Sequence, residues 1–178
     1  AFQDYGICIF HPVTSEVISM GQQAKALFGS LHASNRPFVL IAPNNDPASD
    51  QIFDVINRLD PKQFRLIPSM RFAHFSELMK NASVMIGNSS AGVREAPFLG
   101  LASMDIGTRQ TNRASAPSLR ATQADDAPAI AAFLADEWGV AYPRHTDFGQ
   151  GRAAQRFVDI ISDPYFWTIS LQKEFRDF

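Results

Sequence analysis

The sequence has one cysteine, Cys8, among its 178 residues. A single thiol excludes a disulfide within this chain and suits a reducing compartment, so we expect a cytoplasmic protein. Cys8 lies in the apolar run Ile7-Cys8-Ile9-Phe10, which predicts a buried core thiol. No apolar run approaches the length that spans a bilayer, and we therefore expect no membrane partner.

Several kinds of site have no motif in this sequence. Cys-x-x-Cys, His-Glu-x-x-His and clusters of histidine with carboxylates are missing, so we predict no metal. The glycine-rich dinucleotide fingerprint is also missing, and we predict no cofactor. Neither a Gly-x-Ser-x-Gly elbow nor paired carboxylates poised for acid–base work are evident. Charged residues make up 19% of the chain and the formal net charge is −2. That balance gives no electrostatic reason to expect a nucleic-acid partner.

What the sequence does contain is an alternation of short apolar runs with helical patterns. We predict strands at residues 5–10, 37–42, 64–67, 83–86 and 101–106. Helices are expected at 14–31, from 49 or 50 to about 59, and at 72–81, 90–99, 125–137 and 152–162. Residues 112–124 are polar and are expected to form an irregular surface connection. Near-continuous apolar strands between helices predict an α/β fold, a Rossmann-like parallel sheet with helices on both faces.

Polar side chains follow each predicted strand at the point where the strand ends. They are His11, Asn44, Ser69, Ser89 and the pair Thr108-Arg109. The carboxyl ends of parallel strands meet at one edge of the sheet, and ligands bind there near a topological switch point. Five turns therefore predict one site.

The stretch from Gly87 to Pro97 predicts a strand that delivers small polar residues to the first turn of a helix. Free backbone N–H groups there favour an anion such as phosphate at Ser89 and Ser90. Glu95, further along that helix, could accept hydrogen bonds from sugar hydroxyls. The alternative is that a serine only caps the helix and that Glu95 is solvated.

Two further side chains suit a phosphorylated ligand. His11 could donate to a phosphate oxygen or take part in proton transfer, although single histidines at strand ends are often structural. Arg109 could hold a diphosphate through its planar fork of donors, unless it pairs with a surface carboxylate. Asn44 is placed for ribose or phosphate, although Asn-Asn-Asp is also ordinary turn composition.

Taken together, the motifs resemble those of one family. They are His11-Pro12-Val13-Thr14-Ser15-Glu16, Pro43-Asn44-Asn45-Asp46, Pro68-Ser69-Met70-Arg71-Phe72, Gly87-Asn88-Ser89-Ser90-Ala91-Gly92-Val93-Arg94-Glu95-Ala96-Pro97 and Ile106-Gly107-Thr108-Arg109-Gln110. The sequence is similar to the UDP-N-acetylglucosamine 2-epimerase family, in particular to its hydrolysing branch in sialic-acid-type sugar biosynthesis. The resemblance covers only the family's C-terminal half, and with the start at Ala1 it suggests a fragment.

The resemblance implies the C-terminal domain of a glycosyltransferase-B-like two-domain fold. Residues 1–163 would be the UDP-binding domain, and 164–178 a helical tail that packs on the missing N-terminal domain. It also implies a UDP-sugar substrate, a homodimeric full-length protein, and anti elimination of UDP followed by addition of water. Catalytic His11 would lie near the diphosphate. Nucleotide contacts would come from Asn44, Ser69, Met70, Phe75, Ser89, Ser90, Glu95 and Arg109, with Phe75 stacking on uracil. Phe72 is expected in the core for a different reason, because aromatic residues at helical spacing are by default core residues.

The catalytic carboxylates of the family belong largely to its N-terminal domain, so we expect this half alone to be inactive. Three other functions stay open. The chain could be the UDP-sugar-binding domain of a glycosyltransferase, because fold does not fix function. It could belong to a non-hydrolysing epimerase. It could also be a non-catalytic regulatory or assembly domain.

Overall fold

The computed structural model describes residues 2–168 and 170–172. It divides into two compact units, Ala1–His145 and Thr146–Phe178. The strands are β1 (Gly6–Ile9), β2 (Phe38–Ile41), β3 (Phe64–Ile67), β4 (Val84–Gly87), β5 (Ser103–Ile106) and β6 (Leu119–Thr122). The helices are α1 (Met20–Ala33), α2 (Ser49–Ile56), α3 (Phe72–Lys80), α4 (Ser90–Val93), α5 (Glu95–Leu99), α6 (Ala127–Asp136) and α7 (Ala153–Ser162), with a 3-10 helix at Pro164–Thr168.

The first unit is a six-stranded sheet in the order β3-β2-β1-β4-β5-β6, and every strand pair is parallel. Helices α1, α2 and α6 bury their apolar stripes on one face, and α3, α4 and α5 pack on the other. Cys8 is buried in the first of these cores, as predicted, and burial raises the pKa of its thiol. The predicted α/β class with both faces covered is confirmed.

The sixth strand corrects the sequence prediction. β6 lies within residues 112–124, which were expected to be irregular, and pairs with β5 from Leu119 opposite Ser103 to Thr122 opposite Ile106. It is an edge strand whose Arg120 and Ala121 are exposed. An edge strand does not need the continuous apolar run that marks a central parallel strand, and this one lacks it.

Two predicted helices also differ. The first begins at Met20 rather than at Thr14, because residues 14–19 form turns in which the Glu16 N–H donates to the Val13 carbonyl. The predicted helix over 90–99 is two short helices, α4 and α5, that meet at Arg94. Pro97 accounts for this break, since it has no N–H for the residue four positions earlier and its ring crowds that carbonyl.

The strand order reverses between β1 and β4, and Gly87 is essential there. It pairs with Ile9 and has φ of +130°, and a Cβ at this position would lie 2.0 Å from the Ile9 carbonyl oxygen. Only glycine tolerates both conditions. The two strands therefore end in close contact, which brings the loop at His11 beside the loop at Asn88.

The second unit contains α7 and the 3-10 helix. Several apolar side chains of α7 are exposed, including Phe157, Val158 and Ile160. Trp167 donates from its indole nitrogen to the Ile161 carbonyl at 2.8 Å. This unit begins at Thr146 and so includes α7, which has no buried residue. Of the predicted tail, Ile169 and residues 173–178 lie outside the described residues. No helix in the described part of the chain is long and apolar enough to cross a membrane.

Candidate functional site

Asn88 lies in the loop after β4 and connects this loop to the loop after β1, which carries His11. Its side chain is 1% exposed, and its Oδ1 accepts from the His11 backbone N–H at 2.7 Å. Its Nδ2 donates to the His11 carbonyl at 2.8 Å. An amide is required for this pair, because one end must accept and the other must donate. The backbone of His11 is therefore fixed on both sides of its Cα.

The backbone carbonyl of Asn88 joins a third loop, the one after β5. It accepts from Arg109 Nη1 at 3.1 Å and from the side-chain amide of Gln110 at 2.9 Å. Gln110 is 2% exposed, so its amide is a fixed internal support. Asn88 thus connects the loop after β1 and the loop after β5 to its own loop, which lies between them, so these strand ends converge.

The imidazole of His11 is held by a fourth loop. The backbone N–H of Asn44, after β2, donates to Nδ1 of His11 at 3.1 Å. Burial, followed by the positive charge of Arg109, lowers the pKa of His11 to about 4, and Asp46 opposes this shift. The ring is therefore neutral at physiological pH. The side chain of Asn44 donates to Asp46 at 2.6 Å.

Glu16 fixes the loop that carries Arg109. Its carboxylate accepts from the Thr108 hydroxyl and, at 2.8 Å, from the side-chain amide of Gln23. These two hydrogen bonds, with Thr108 the stronger, lower the pKa of Glu16. Glu16 lies in the loop between β1 and α1, so this carboxylate ties that loop to the residue before Arg109.

The serines after β4 play different parts. Ser89 is the N-cap of α4, and its hydroxyl accepts from the Ala91 N–H at 3.4 Å. This agrees with the capping alternative for that hydroxyl. Ser90 is the first residue of α4, which has only 4 residues. A helix this short has a weak dipole, so the expected attraction of an anion to its tip contributes less than the sequence suggested.

Three side-chain oxygens are buried without a hydrogen-bond partner in the described structure, and two of them belong to residues that the sequence assigned to the site. These two are Oε2 of Glu95 and Oδ1 of Asn44. Glu95 as a whole is partly exposed, and Oε2 is its buried oxygen. An unsatisfied buried oxygen is costly, and a ligand hydroxyl or N–H is a natural partner for it.

Asp105 is a site neighbour that the sequence analysis did not identify. It lies on β5 opposite Gly87 and is 6% exposed. Burial raises the pKa of Asp105 to about 6, while the Ile106 N–H and Arg109 act in the opposite direction. Its Oδ1 has no partner among the described residues. Asn88 and Gln110 were also missed; their only signal was their position within the motifs of Ser89 and Arg109.

The expected base contacts lie on the loop after the edge strand β3 and on α3. Ser69 is exposed, and Met70 is partly buried. Phe75 is partly buried and packs against the core of α3, whereas Phe72 is 66% exposed. The placement of Phe72 in the core is therefore wrong. In the described part of the chain, the hydrogen bonds that link the other loops do not reach Ser69, Met70 or Phe75.

One groove of the first unit lies elsewhere, between α1 and the residues at and just after the end of α2. Its lining includes Lys25, Phe28, His32, Arg58, Leu59 and Asp60. The C-terminal ends of these helices lie at the amino ends of the strands, whereas His11, Asn44, Asn88 and Arg109 follow the carboxyl ends. The described residues contain no cluster of three His, Cys, Asp or Glu side chains that could hold a metal.

Comparison with known proteins gives a consistent result. A family model described as UDP-N-acetylglucosamine 2-epimerase matches residues 1–162. A UDP-N-acetylglucosamine 2-epimerase of Neisseria meningitidis serogroup B is 36% identical and covers 99% of this chain and 48% of its own length. A Legionella pneumophila protein named UDP-N,N'-diacetylbacillosamine 2-epimerase (hydrolyzing) is 34% identical over 62% of this chain and 30% of its own. The chain thus spans about half the length of the Neisseria protein, and its match covers a smaller share of the Legionella protein.

A solved structure agrees on the fold. The Methanocaldococcus jannaschii UDP-GlcNAc 2-epimerase in complex with UDP-GlcNAc and UDP superposes with a TM-score of 0.70. It is 14% identical, and the match covers 89% of this chain and 45% of that one. Together with the strand order, this likeness identifies the first unit as a Rossmann-like domain of the glycosyltransferase-B-like type.

Proposed function

The chain belongs to the UDP-N-acetylglucosamine 2-epimerase family, and we propose that its strand-end loops hold the UDP portion of a UDP-sugar. The observation that carries this proposal is the convergence on Asn88, which presents His11 and Arg109 side by side. The chain spans half the first relative's length, so the activity proposed below is that of the full-length protein.

The diphosphate is the part of the ligand that these loops suit best. Arg109 uses one Nη1 donor for the Asn88 carbonyl, and the remaining donors of its guanidinium can bind phosphate oxygens. His11 is neutral and partly exposed beside it. Ser90 and the backbone at the start of α4 add neutral donors. We assign the diphosphate to His11, Ser89, Ser90 and Arg109.

The nucleoside has two further subsites in this proposal. The buried, unpartnered Oε2 of Glu95 would accept from ribose hydroxyls, and Oδ1 of Asn44 would accept from a second ligand donor. Phe75 would stack on uracil, with the backbone at Ser69 and Met70 reading its edge. This part rests on the family resemblance and on the position of the loop after β3 at the same edge of the sheet.

For the whole protein we propose a hydrolysing reaction. UDP leaves by anti elimination, water adds to the resulting double bond, and free N-acetylmannosamine or a 2,4-diacetamido analogue is released with UDP. Support comes from His11-Pro12-Val13-Thr14 and Asn88-Ser89-Ser90, and from the relative whose name includes "hydrolyzing". Incubating the full-length protein with UDP-N-acetylglucosamine tests whether free N-acetylmannosamine and UDP are the products. Recovery of UDP-N-acetylmannosamine as the stable product would instead assign a non-hydrolysing epimerase.

Calorimetric titration of the 178-residue chain tests the binding site itself. UDP should bind more tightly than ADP, and Arg109→Ala should weaken UDP binding about tenfold or more, because a charged hydrogen bond contributes about 1.5–3 kcal/mol. Arg58→Ala is the matched control, since Arg58 lies at the end of α2 and should leave the affinity unchanged. Equal affinity for ADP, or an Arg109→Ala variant that binds normally, would contradict the site.

The remaining parts of the proposal follow from the resemblance. The full-length protein would be a cytoplasmic homodimer, and residues 164–178 would pack on its N-terminal half. The exposed apolar side chains of α7 and of Tyr165 and Trp167 support a covering partner for the second unit. A full-length enzyme that sediments as a monomer would remove the dimer from this account.

A further inference from the structure

The hydrogen bond at Nδ1 fixes the tautomer of the His11 ring. A neutral imidazole has one nitrogen that donates and one that accepts. The backbone N–H of Asn44 can only donate, and it lies 3.1 Å from Nδ1. Nδ1 must therefore supply the lone pair, and the ring proton must be on Nε2.

The surrounding contacts hold this arrangement in place. The backbone of His11 is fixed on both sides by the Asn88 amide, at 2.7 and 2.8 Å. Turning the ring over would point a C–H at the Asn44 N–H and leave that donor without its partner, which is unfavourable. One orientation is therefore preferred before any ligand binds.

The charge state follows from the same geometry. A second proton would have to bind Nδ1, where it would face the Asn44 N–H. The charged groups that act on the ring are Arg109, which opposes protonation, and Asp46, which favours it. Burial adds to the effect of Arg109 and lowers the pKa of His11 to about 4. The ring is neutral, with its only lone pair occupied.

We infer that His11 acts as a neutral hydrogen-bond donor, presenting Nε2–H to a diphosphate oxygen, and that it is not the general base of the reaction. A general base needs a free lone pair within reach of the proton that it removes, and the lone pair of His11 is occupied by Asn44. In the elimination, His11 would therefore stabilise charge on the departing UDP without exchanging a proton. The base that removes the proton at C2 must come from elsewhere in the full-length protein. The identity of the oxygen rests on the proposed function, whereas the state of the ring does not.

Nitrogen-detected NMR of the 178-residue chain, without ligand, tests the ring directly. Between about pH 5.5 and 8, His11 should show a protonated Nε2 and an unprotonated Nδ1, and it should not titrate. His32 is an internal control of the opposite tautomer. Its Nδ1 lies 2.7 Å from Oε1 of Gln63, whose amide nitrogen faces three carbonyl oxygens. A proton on Nδ1 of His11, or a titration near the usual histidine pKa, would overturn the inference.

Two substitutions test the donor role in UDP binding. The amide nitrogen of glutamine reaches about as far as Nε2 of histidine, while that of asparagine reaches only about as far as Nδ1. His11→Gln should keep UDP affinity within about threefold, and His11→Asn should lose about tenfold. Equal losses in both variants would refute the Nε2 donor. If UDP did not bind the unsubstituted chain, the proposed function would fail, while the NMR result would still decide the tautomer.

Discussion

The replacement Asn88→Asp changes one atom of the side chain and tests the switch point. One carboxylate oxygen can still accept from the His11 N–H, but the other would face the His11 carbonyl oxygen across the 2.8 Å that Nδ2 now bridges. The lost donor leaves a buried carbonyl unsatisfied, at about 1–3 kcal/mol. Burying the new charge at a position only 1% exposed adds to this, and the nearby Arg109 offsets part of it. We expect a loss of about 3 kcal/mol at pH 7.5.

The loss should depend on pH with a defined sign. In its protonated form the introduced carboxyl could donate its O–H to the His11 carbonyl, so folding raises the pKa of this carboxyl above about 3.9, the value in the unfolded chain. The variant should therefore lose stability as the pH rises from about 4 through the pKa of the folded state. Asn88→Ala loses both hydrogen bonds at every pH and should show a constant deficit.

Urea unfolding followed by tryptophan fluorescence at pH 5.0 and 7.5, with Trp167 replaced by Phe in every variant so that Trp138 is the reporter, measures both effects. Asn35→Asp, at an exposed turn, is the surface control and should change stability by less than about 0.5 kcal/mol. An Asn88→Asp variant as stable as the original protein, or one whose deficit is the same at both pH values, would refute the role given to the Asn88 amide.

Three further predictions follow from the same structure. Burial raises the pKa of Asp105 to about 6, so the protein loses stability as this carboxyl ionises between about pH 4 and 6. Asp105→Asn should therefore raise the free energy of unfolding by about 1–3 kcal/mol at pH 8 and by less at pH 5. A larger gain at pH 5 than at pH 8 would contradict this. Gly87→Ala should cost about 2–5 kcal/mol in a urea titration, because its Cβ would meet the Ile9 carbonyl at 2.0 Å. Gly29→Ala, in helix α1 with nothing within 4 Å of the added carbon, should instead gain up to about 1 kcal/mol. The 178-residue chain should release no UDP from UDP-N-acetylglucosamine above the buffer blank, and turnover that His11→Ala abolishes would disprove this.

The sheet and the convergence of its strand-end loops were predictable from the sequence. The central strands are continuous apolar runs bounded by turn residues, so their order along the chain and their parallel class follow from periodicity. His11, Asn44 and Arg109 converge because each follows the carboxyl end of a strand, and these ends lie together in a parallel sheet. The edge strand β6 was missed because its sequence, Leu-Arg-Ala-Thr, has one large apolar residue, whereas the other edge strand, β3, has three and was predicted.

The support of the site could not be predicted. Asn88 acts through a paired hydrogen bond to the backbone of a residue 77 positions away, and no local pattern encodes that partner. The tautomer of His11 depends on a backbone N–H that any residue at position 44 except proline would provide. Phe72 and Phe75 are aromatic residues one turn apart on α3, so the sequence around them does not show which one is buried. The packing of α3 puts Phe75 against the core and leaves Phe72 exposed.

The most direct test of the account is a crystal structure of the 178-residue chain with UDP. We expect the diphosphate at the ends of β1, β4 and β5, within hydrogen-bond distance of the Arg109 guanidinium and of Nε2 of His11. Ribose should lie against Glu95. UDP bound instead in the groove between α1 and α2, or bound at the strand ends without contacting Arg109, would contradict the central claim.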